Sequence, residues 1–295
     1  MNTPVPERPV QARANEAARQ RSDAQLVLTY LADERGVDLG DYRVATIERG
    51  VQQRLDATGS HDATAYLARL GSDAGELDRM LAAVVVSHTG FFRDPDVFDA
   101  LGSVVVPRLY AERPNLNSPL RAWSIGTATG EEAWSLAMVL AQACARADLG
   151  CFELLATDRE PGVLAIAELG SYPAAEAANV PPELRRNHLV ERDQRVVVTD
   201  TLRARVRFAR HDVMGARLAP PEAVVASFDL IALRNVLIYF GRRLQEKVFD
   251  RLCAVLTPGA ALVLGHIETL PASAVRAFAP FPGTSPDSRI YRYVG

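Results

Sequence analysis

Apolar residues recur at helical spacing through the first part of the chain and in strand-length runs through the rest. Leu26, Leu28, Tyr30 and Leu31 predict a first helix face, and Ile47, Val51 and Leu55, spaced by four, predict a second. A third helix is expected over 64–70. Asp73-Ala-Gly-Glu76 opens a fourth, with Asp73 placed to cap it. From Leu120 the pattern changes to alternation of strand and helix: a strand over 122–125, a helix from about Glu132, a strand over 152–156 ending near Asp158, and a helix over 162–169. After Tyr172-Pro173 the rhythm stops. A charged helix over 182–187 and two β-rich pieces, 195–199 and 206–209, read as a small insertion. The rhythm resumes with a strand over 228–233, a helix over 244–256, a turn at Thr257-Pro-Gly, a strand over 261–264 and a last strand near 288–293.

This order predicts a mobile tail over 1–22, an all-helical domain over 23–85, a linker over 86–119 and an α/β domain over 120–295, with the β insertion at about 174–209. Within the linker, Asp94-Pro95 marks a helix start. Strands alternating with helices in the last domain predict a doubly wound sheet that binds a nucleotide-like ligand at its carboxyl edge.

Composition narrows the partners. The chain has 295 residues, is 48% hydrophobic and 23% charged, and carries a formal net charge of −3, so no global basic field points to nucleic acid. No apolar run approaches the ~18 residues of a spanning helix, and the polar amino terminus lacks the apolar stretch of a signal peptide. Direct membrane insertion is therefore not expected. The three cysteines, Cys144, Cys151 and Cys253, are scattered without metal-ligand spacing and read as free thiols in a reducing cytoplasm. No metal set is evident.

The candidate chemistry lies at the ends of the predicted strands. Gly126 and Gly130 flank the turn after the first strand, where permissive backbone lets a ligand lie against the chain or else simply makes a structural βα turn. The acidic pair Glu131-Glu132 that follows would repel a phosphate. It suits a cationic ligand or hydroxyls, or else complements the helix dipole. Asp158, ending the second strand, is placed to take ribose hydroxyls or to cap the next helix, with the ribose role favoured by the preceding turn. Asp212 can bond an adenine amino group or cap a turn. Arg93, in the unusual segment Ser87-His-Thr-Gly-Phe-Phe-Arg-Asp-Pro95, can pair with a carboxylate of ligand or substrate, or form a structural ion pair. His88, His211 and His266 stand isolated.

Several of these segments, in order from about residue 23 to the end, resemble the CheR family of chemoreceptor glutamate O-methyltransferases. They are the helical stretch around Arg43–Leu55, Thr89–Pro95, Ala128–Ser135, Ala-Thr-Asp158, Ser171-Tyr-Pro, Arg205–Met214, Phe228–Phe240 and Leu256–Leu270. The resemblance implies a small all-α domain followed by a Rossmann-like class I methyltransferase domain with an inserted small antiparallel β-subdomain. It implies S-adenosylmethionine as cofactor and S-adenosylhomocysteine as product. The cofactor site would be lined by Ser87, Thr89, Arg93, Gly126, Glu131, Asp158, Asp212, Val213, Asn235 and Val236, with Ser87 standing where relatives usually carry Asn. Arg93 and Tyr239, the latter expected one helical turn beyond Asn235, are the candidate catalytic residues. The implied partner of this cytoplasmic protein is the helical bundle of a methyl-accepting chemoreceptor. In the second helix Val44, Gly50, Gln52 and Gln53 occupy positions that are commonly basic in relatives, leaving Arg43, Arg49 and Arg54. A signalling module that binds the cofactor without transfer, and a small-molecule methyltransferase, are the competing expectations.

Overall fold

The computed structural model describes residues 19, 23–34, 44–84, 90–113, 118–146, 151–215, 217–219 and 227–295. The chain divides into two units, Met1–His88 and Thr89–Gly295.

The first unit is helical: α1 (23–34), α2 (Val44–Thr58), α3 (Ala63–Ser72) and α4 (Ala74–Val84). Ile47, Val51 and Leu55 are buried, as their spacing predicts. On α1 the inward stripe is Ala24, Val27 and Leu31, and Leu26 is exposed, because steps of three and four set the face rather than the densest apolar cluster. Asp62 caps α3 by accepting Ala65 N at 2.9 Å, and Asp73 accepts Gly75 N at 2.9 Å at the start of α4. Between these helices Arg54 grips Glu76 with two bonds of 2.8 and 2.9 Å, and Tyr66 and Arg79 donate to the same carboxylate at 2.7 and 3.0 Å. Burial alone would raise the Glu76 carboxyl, but these three donors outweigh it and hold it at about 2.

In the second unit α5 (Pro95–Ala100), a π-helical turn (Leu101–Val105) and α6 (Val106–Ala111) run almost continuously into one another. Phe91, Phe92, Val97, Phe98, Val105 and Tyr110 pack into the same core as α7 (Glu131–Arg146). The stretch expected as a linker over 86–119 therefore contributes a layer of this unit. Val97, Leu101, Val105 and Leu109 recur every four residues and are all buried, a helical period that marks this stretch as packed structure rather than a connection.

The main sheet has seven strands in the order β6-β2-β1-β7-β8-β10-β9. They are β1 (Leu120–Ile125), β2 (Phe152–Asp158), β6 (Val206–Arg210), β7 (Phe228–Leu233), β8 (Leu256–Leu264), β9 (Phe278–Pro280) and β10 (Ile290–Tyr293). β6, β2, β1, β7 and β8 are mutually parallel, and β10 and β9 are antiparallel additions. Along β7, Leu230 and Ala232 join the core on one face while Ile231 and Leu233 join the core on the other, beneath α11 (Arg242–Cys253). Burial on both faces is why this strand reads as a continuous apolar run rather than an alternation. The turn expected at Thr257-Pro-Gly lies inside β8, where the register slips between Phe228 and Leu230.

The second sheet, β3-β5-β4, is antiparallel and comprises β3 (Ser171–Pro173), β4 (Leu189–Arg192) and β5 (Arg195–Val198). It begins ahead of the expected 174. Val206–Arg210, expected within the insertion, leaves it and pairs with β2 as an outer strand of the main sheet. Val206 and Phe208 pack on one core and Ala209 on the other, which fixes the strand between both layers. α8 (Pro161–Leu169), α9 (Pro182–His188) and α10 (Asp200–Arg203) complete the unit. Among the described residues, no helix is long and apolar enough to cross a membrane.

Candidate active site

The strand order reverses at β1 and β7: the chain runs outward from β1 to β2 and β6, then returns to β7 and continues to β8 on the other side. A doubly wound sheet opens a ligand crevice at the carboxyl ends of the strands at such a point. The loops leaving β1 and β7 meet there closely. Gly126 has φ of 72°, and a Cβ on it would lie 2.4 Å from Val236 Cγ2. Gly130 has φ of 96°, and a Cβ there would come within 2.9 Å of both the Ala167 Cα and the Tyr172 hydroxyl. Both positions require glycine by conformation and by space.

The turn between these glycines is stitched to its neighbours. Gly126 N and Thr127 N donate to Thr157 O at 2.8 and 3.0 Å, and Tyr172 of β3 donates to Thr129 O at 2.7 Å. Asp158 accepts Ala128 N on Oδ2 at 2.9 Å and Glu160 N on Oδ1 at 3.0 Å. Glu160, not Asp158, occupies the N-cap of α8, so the capping alternative for Asp158 is not realised. Each Asp158 oxygen retains a lone pair. Glu131 is buried, and its Oε2 accepts the Thr129 hydroxyl at 2.7 Å.

The Arg93 turn is fastened beside the amino end of α7. Phe92 and Asp94 adopt left-handed φ of 52° and 61°, and Phe92 N donates to Ser135 Oγ at 3.0 Å. Arg234, at the end of β7, is buried and reaches three acceptors on two segments. It donates to Arg93 O at 3.1 Å, to Asp94 Oδ2 at 2.5 Å and to Glu132 Oε2 at 3.1 Å, with its guanidinium over the Phe98 ring at 5.5 Å. Burial pushes the Glu132 carboxyl up, against the pull of the Arg234 and Arg93 charges. His266 Nε2 stands 3.8 Å from Asp94.

Beyond Arg234, Asn235 is left-handed, with φ of 58°. The buried Glu268 accepts Asn235 N on Oε2 at 2.9 Å, Gly265 N on the same oxygen at 2.7 Å, and Leu237 N on Oε1 at 2.7 Å. Burial pushes this carboxyl up while the backbone donors pull it down. A short 3-10 turn over Leu237–Tyr239 follows. The left-handed residue thus breaks the helical relation expected between Asn235 and Tyr239. Tyr239 itself is exposed.

Of the remaining expected residues, Asp212 accepts Met214 N on Oδ1 at 2.8 Å and so holds a turn, and Val213 is buried in the core beneath α11. Ser87 and Thr89 lie outside the described residues. Arg234 was visible in the sequence as a charge inside an apolar run, but its partners lie in segments remote along the chain. Glu268 and Tyr172 gave no periodic signal, because each acts on backbone atoms of a distant loop.

The donor set suits a cationic, hydroxyl-bearing nucleoside better than a phosphate. It offers the carboxylates of Glu131 and Asp158, a glycine-lined turn, and the buried Thr127 hydroxyl, which has no partner among the described residues. S-adenosylmethionine has that chemistry.

Comparison with known proteins agrees. The family described as the CheR methyltransferase SAM-binding domain matches residues 87–285, and the CheR methyltransferase all-alpha domain matches residues 22–85. The chain is 33% identical, over 79% of its length, to an uncharacterized 104.1 kDa protein in the hypE 3' region of Rhodobacter capsulatus, and covers 24% of that protein. It is 33% identical over 79% of its length to a probable biofilm formation methyltransferase, WspC, of Pseudomonas aeruginosa, covering 54% of it. It is 28% identical over 80% of its length to a chemotaxis protein methyltransferase of Listeria monocytogenes, covering 85% of it. The chain thus spans about a quarter and about half of the first two relatives. With a helical unit, a doubly wound sheet carrying an acidic glycine-lined turn at its switch point, and both domain families matched in order, the chain belongs to the CheR methyltransferase family and carries its S-adenosylmethionine-binding domain.

Proposed function

We propose that the protein transfers a methyl group from S-adenosylmethionine to glutamate side chains of chemoreceptor-type proteins, forming methyl esters. The observation that carries this reading is the meeting of opposite charges at one sheet edge. The acidic α7 terminus and Asp158 suit a cationic cofactor, and the Arg93 turn fastened beside them by Arg234 and Ser135 suits an anionic acceptor.

When bound, the cofactor supplies a sulfonium-activated methyl group, so a carboxylate that is already ionised near pH 7 accepts it without a general base. Glu131 and Asp158 hold the cofactor's polar groups, with Asn235, Val236, Asp212 and Val213 lining the rest of the site. Gly126 and Gly130 let the backbone approach it. Arg93 orients the attacking carboxylate and Tyr239 assists from the exposed side. The work of these residues is alignment and desolvation.

Incubating the protein with methyl-labelled S-adenosylmethionine and membranes bearing chemoreceptor-type proteins tests this. Label on a membrane protein, released as methanol by base, is expected, with Arg93→Ala lowering turnover on the order of a hundred-fold. Label only in a soluble low-mass fraction would instead indicate a small-molecule methyltransferase.

One observation favours a second reading, a module that binds the cofactor without transferring its methyl. Arg54, one of the few basic residues left on α2, is committed to Glu76 and is not offered to an acidic partner. Cofactor binding with no transfer to any cell fraction would support it. Relatives named for chemotaxis and for biofilm formation leave either process as the setting.

A further inference from the structure

Pairing between the parallel strands β7 and β8 ends at Leu233 and Leu264. Just past that point two N–H groups, one from the segment leaving each strand, turn to the same carboxylate oxygen. Asn235 N and Gly265 N both donate to Glu268 Oε2, and Leu237 N donates to Oε1. We infer that Glu268 is a positioning residue for the cofactor site: its carboxylate bridges the ends of β7 and β8 and locks Asn235 in the left-handed conformation that sets the Asn235–Leu237 loop before ligand arrives. The inference rests on the reading of this edge as the cofactor site.

The geometry leaves little freedom. A left-handed non-glycine residue persists only where its surroundings over-determine it, and here Asn235 N and Leu237 N tie the backbone at Asn235 and two residues beyond it to one carboxylate. Gly265 cannot carry a side chain, since a Cβ would lie 2.9 Å from Glu268 Oε2 and 3.0 Å from both Asn235 N and Asn235 Nδ2. The acceptor has to be a carboxylate. Donors from different residues reach both oxygens, whereas an amide accepts on one atom only and would turn its NH₂ against N–H donors. A fully buried carboxylate is costly to maintain, and its bonds go to the loop that carries Asn235 and Val236, ahead of Tyr239.

The contrast is Asp229 at the opposite end of β7. It too is buried, and it accepts Arg121 N at 2.9 Å and the Thr257 hydroxyl at 3.1 Å, but at the amino edge of the sheet, away from the crevice. Calorimetric titration with S-adenosylhomocysteine of the full chain, of Glu268→Gln and of Asp229→Asn, well below their melting temperatures, separates positioning from mere stability. Glu268→Gln is expected to bind about ten-fold or more weakly, while Asp229→Asn loses thermal stability and keeps the wild-type affinity. Folded Glu268→Gln binding within about two-fold of wild type would overturn the inference. Should Glu268→Gln not fold, amide hydrogen exchange of the ligand-free wild type decides. Protected Asn235, Leu237 and Gly265 amides support a preset loop, and protection appearing only with ligand refutes it. Wild-type protein that binds no S-adenosylhomocysteine would overturn the cofactor reading itself, a result distinct from normal binding by Glu268→Gln.

Discussion

Gly126 shows how one residue joins two loops. Its left-handed φ excludes most side chains, and Val236 occupies the volume that a Cβ would need. These two causes can be separated. Gly126→Ala is expected to cost about 2–3 kcal/mol, part from the backbone conformation and part from the clash. Adding Val236→Ala removes only the clash, so the double variant should be about 1 kcal/mol more stable than the sum of the single losses predicts. Urea midpoints of the four proteins measure this, and strictly additive losses would mean that the close approach is not what excludes the side chain. At this scale the sequence was informative about which residues are unusual and silent about their partners. Glycines after a strand, an acid at a strand end and Arg93 directly after two aromatics stand out by type. That Arg234 would grip Arg93, Asp94 and Glu132, or that Glu268 would collect N–H groups from the ends of two strands, depends on approaches that no local spacing encodes.

Among elements, the helices of the first unit are tied by a buried ionic knot as well as by apolar packing. Glu76 is held at about 2 against an ordinary 4.5, so the folded state favours its charged form. The stabilisation is present in full above pH 4.5 and is lost as pH falls through 2. The shift corresponds to an upper figure of about 3 kcal/mol. Acid titration followed by helical circular dichroism should show wild type losing more stability over that interval than Glu76→Gln, which starts lower at neutral pH. Equal slopes would count against the knot. The two tryptophans, Trp123 and Trp134, both lie in the second unit, so their fluorescence reports that unit separately. Elements with a clean period were legible in the sequence: β7 is observed as Phe228–Leu233, and α8 begins one residue before its expected start. The short strands β3, β4 and β9 were not, since three or four residues carry little pattern unless β-branched or aromatic residues fill them, as they do in β5 and β10. The helical spacing expected between Asn235 and Tyr239 is not observed, because Asn235 is left-handed and a 3-10 turn follows it.

For the molecule as a whole, alternation of strands and helices sufficed to predict a doubly wound sheet, and the observed order β6-β2-β1-β7-β8 places the crevice between the two segments richest in unusual residues. What alternation could not supply was the layer that precedes the first strand. Phe91 through Tyr110 cover one face of the second unit's core, in continuity with α7. Anyone dividing the gene by hydrophobic pattern would cut ahead of Leu120 and remove that cover. Each fully buried side chain lost is worth roughly 1.5–3 kcal/mol, and a domain's whole stability is only about 5–15 kcal/mol, so a fragment starting at Leu120 is expected to accumulate as insoluble protein. One starting ahead of Thr89 should remain soluble and unfold cooperatively in a calorimeter. The seam between inheritable modules thus falls before the Arg93 turn, which makes that turn and the sheet it faces a single unit of exchange: neither can be shuffled into a new protein without the other.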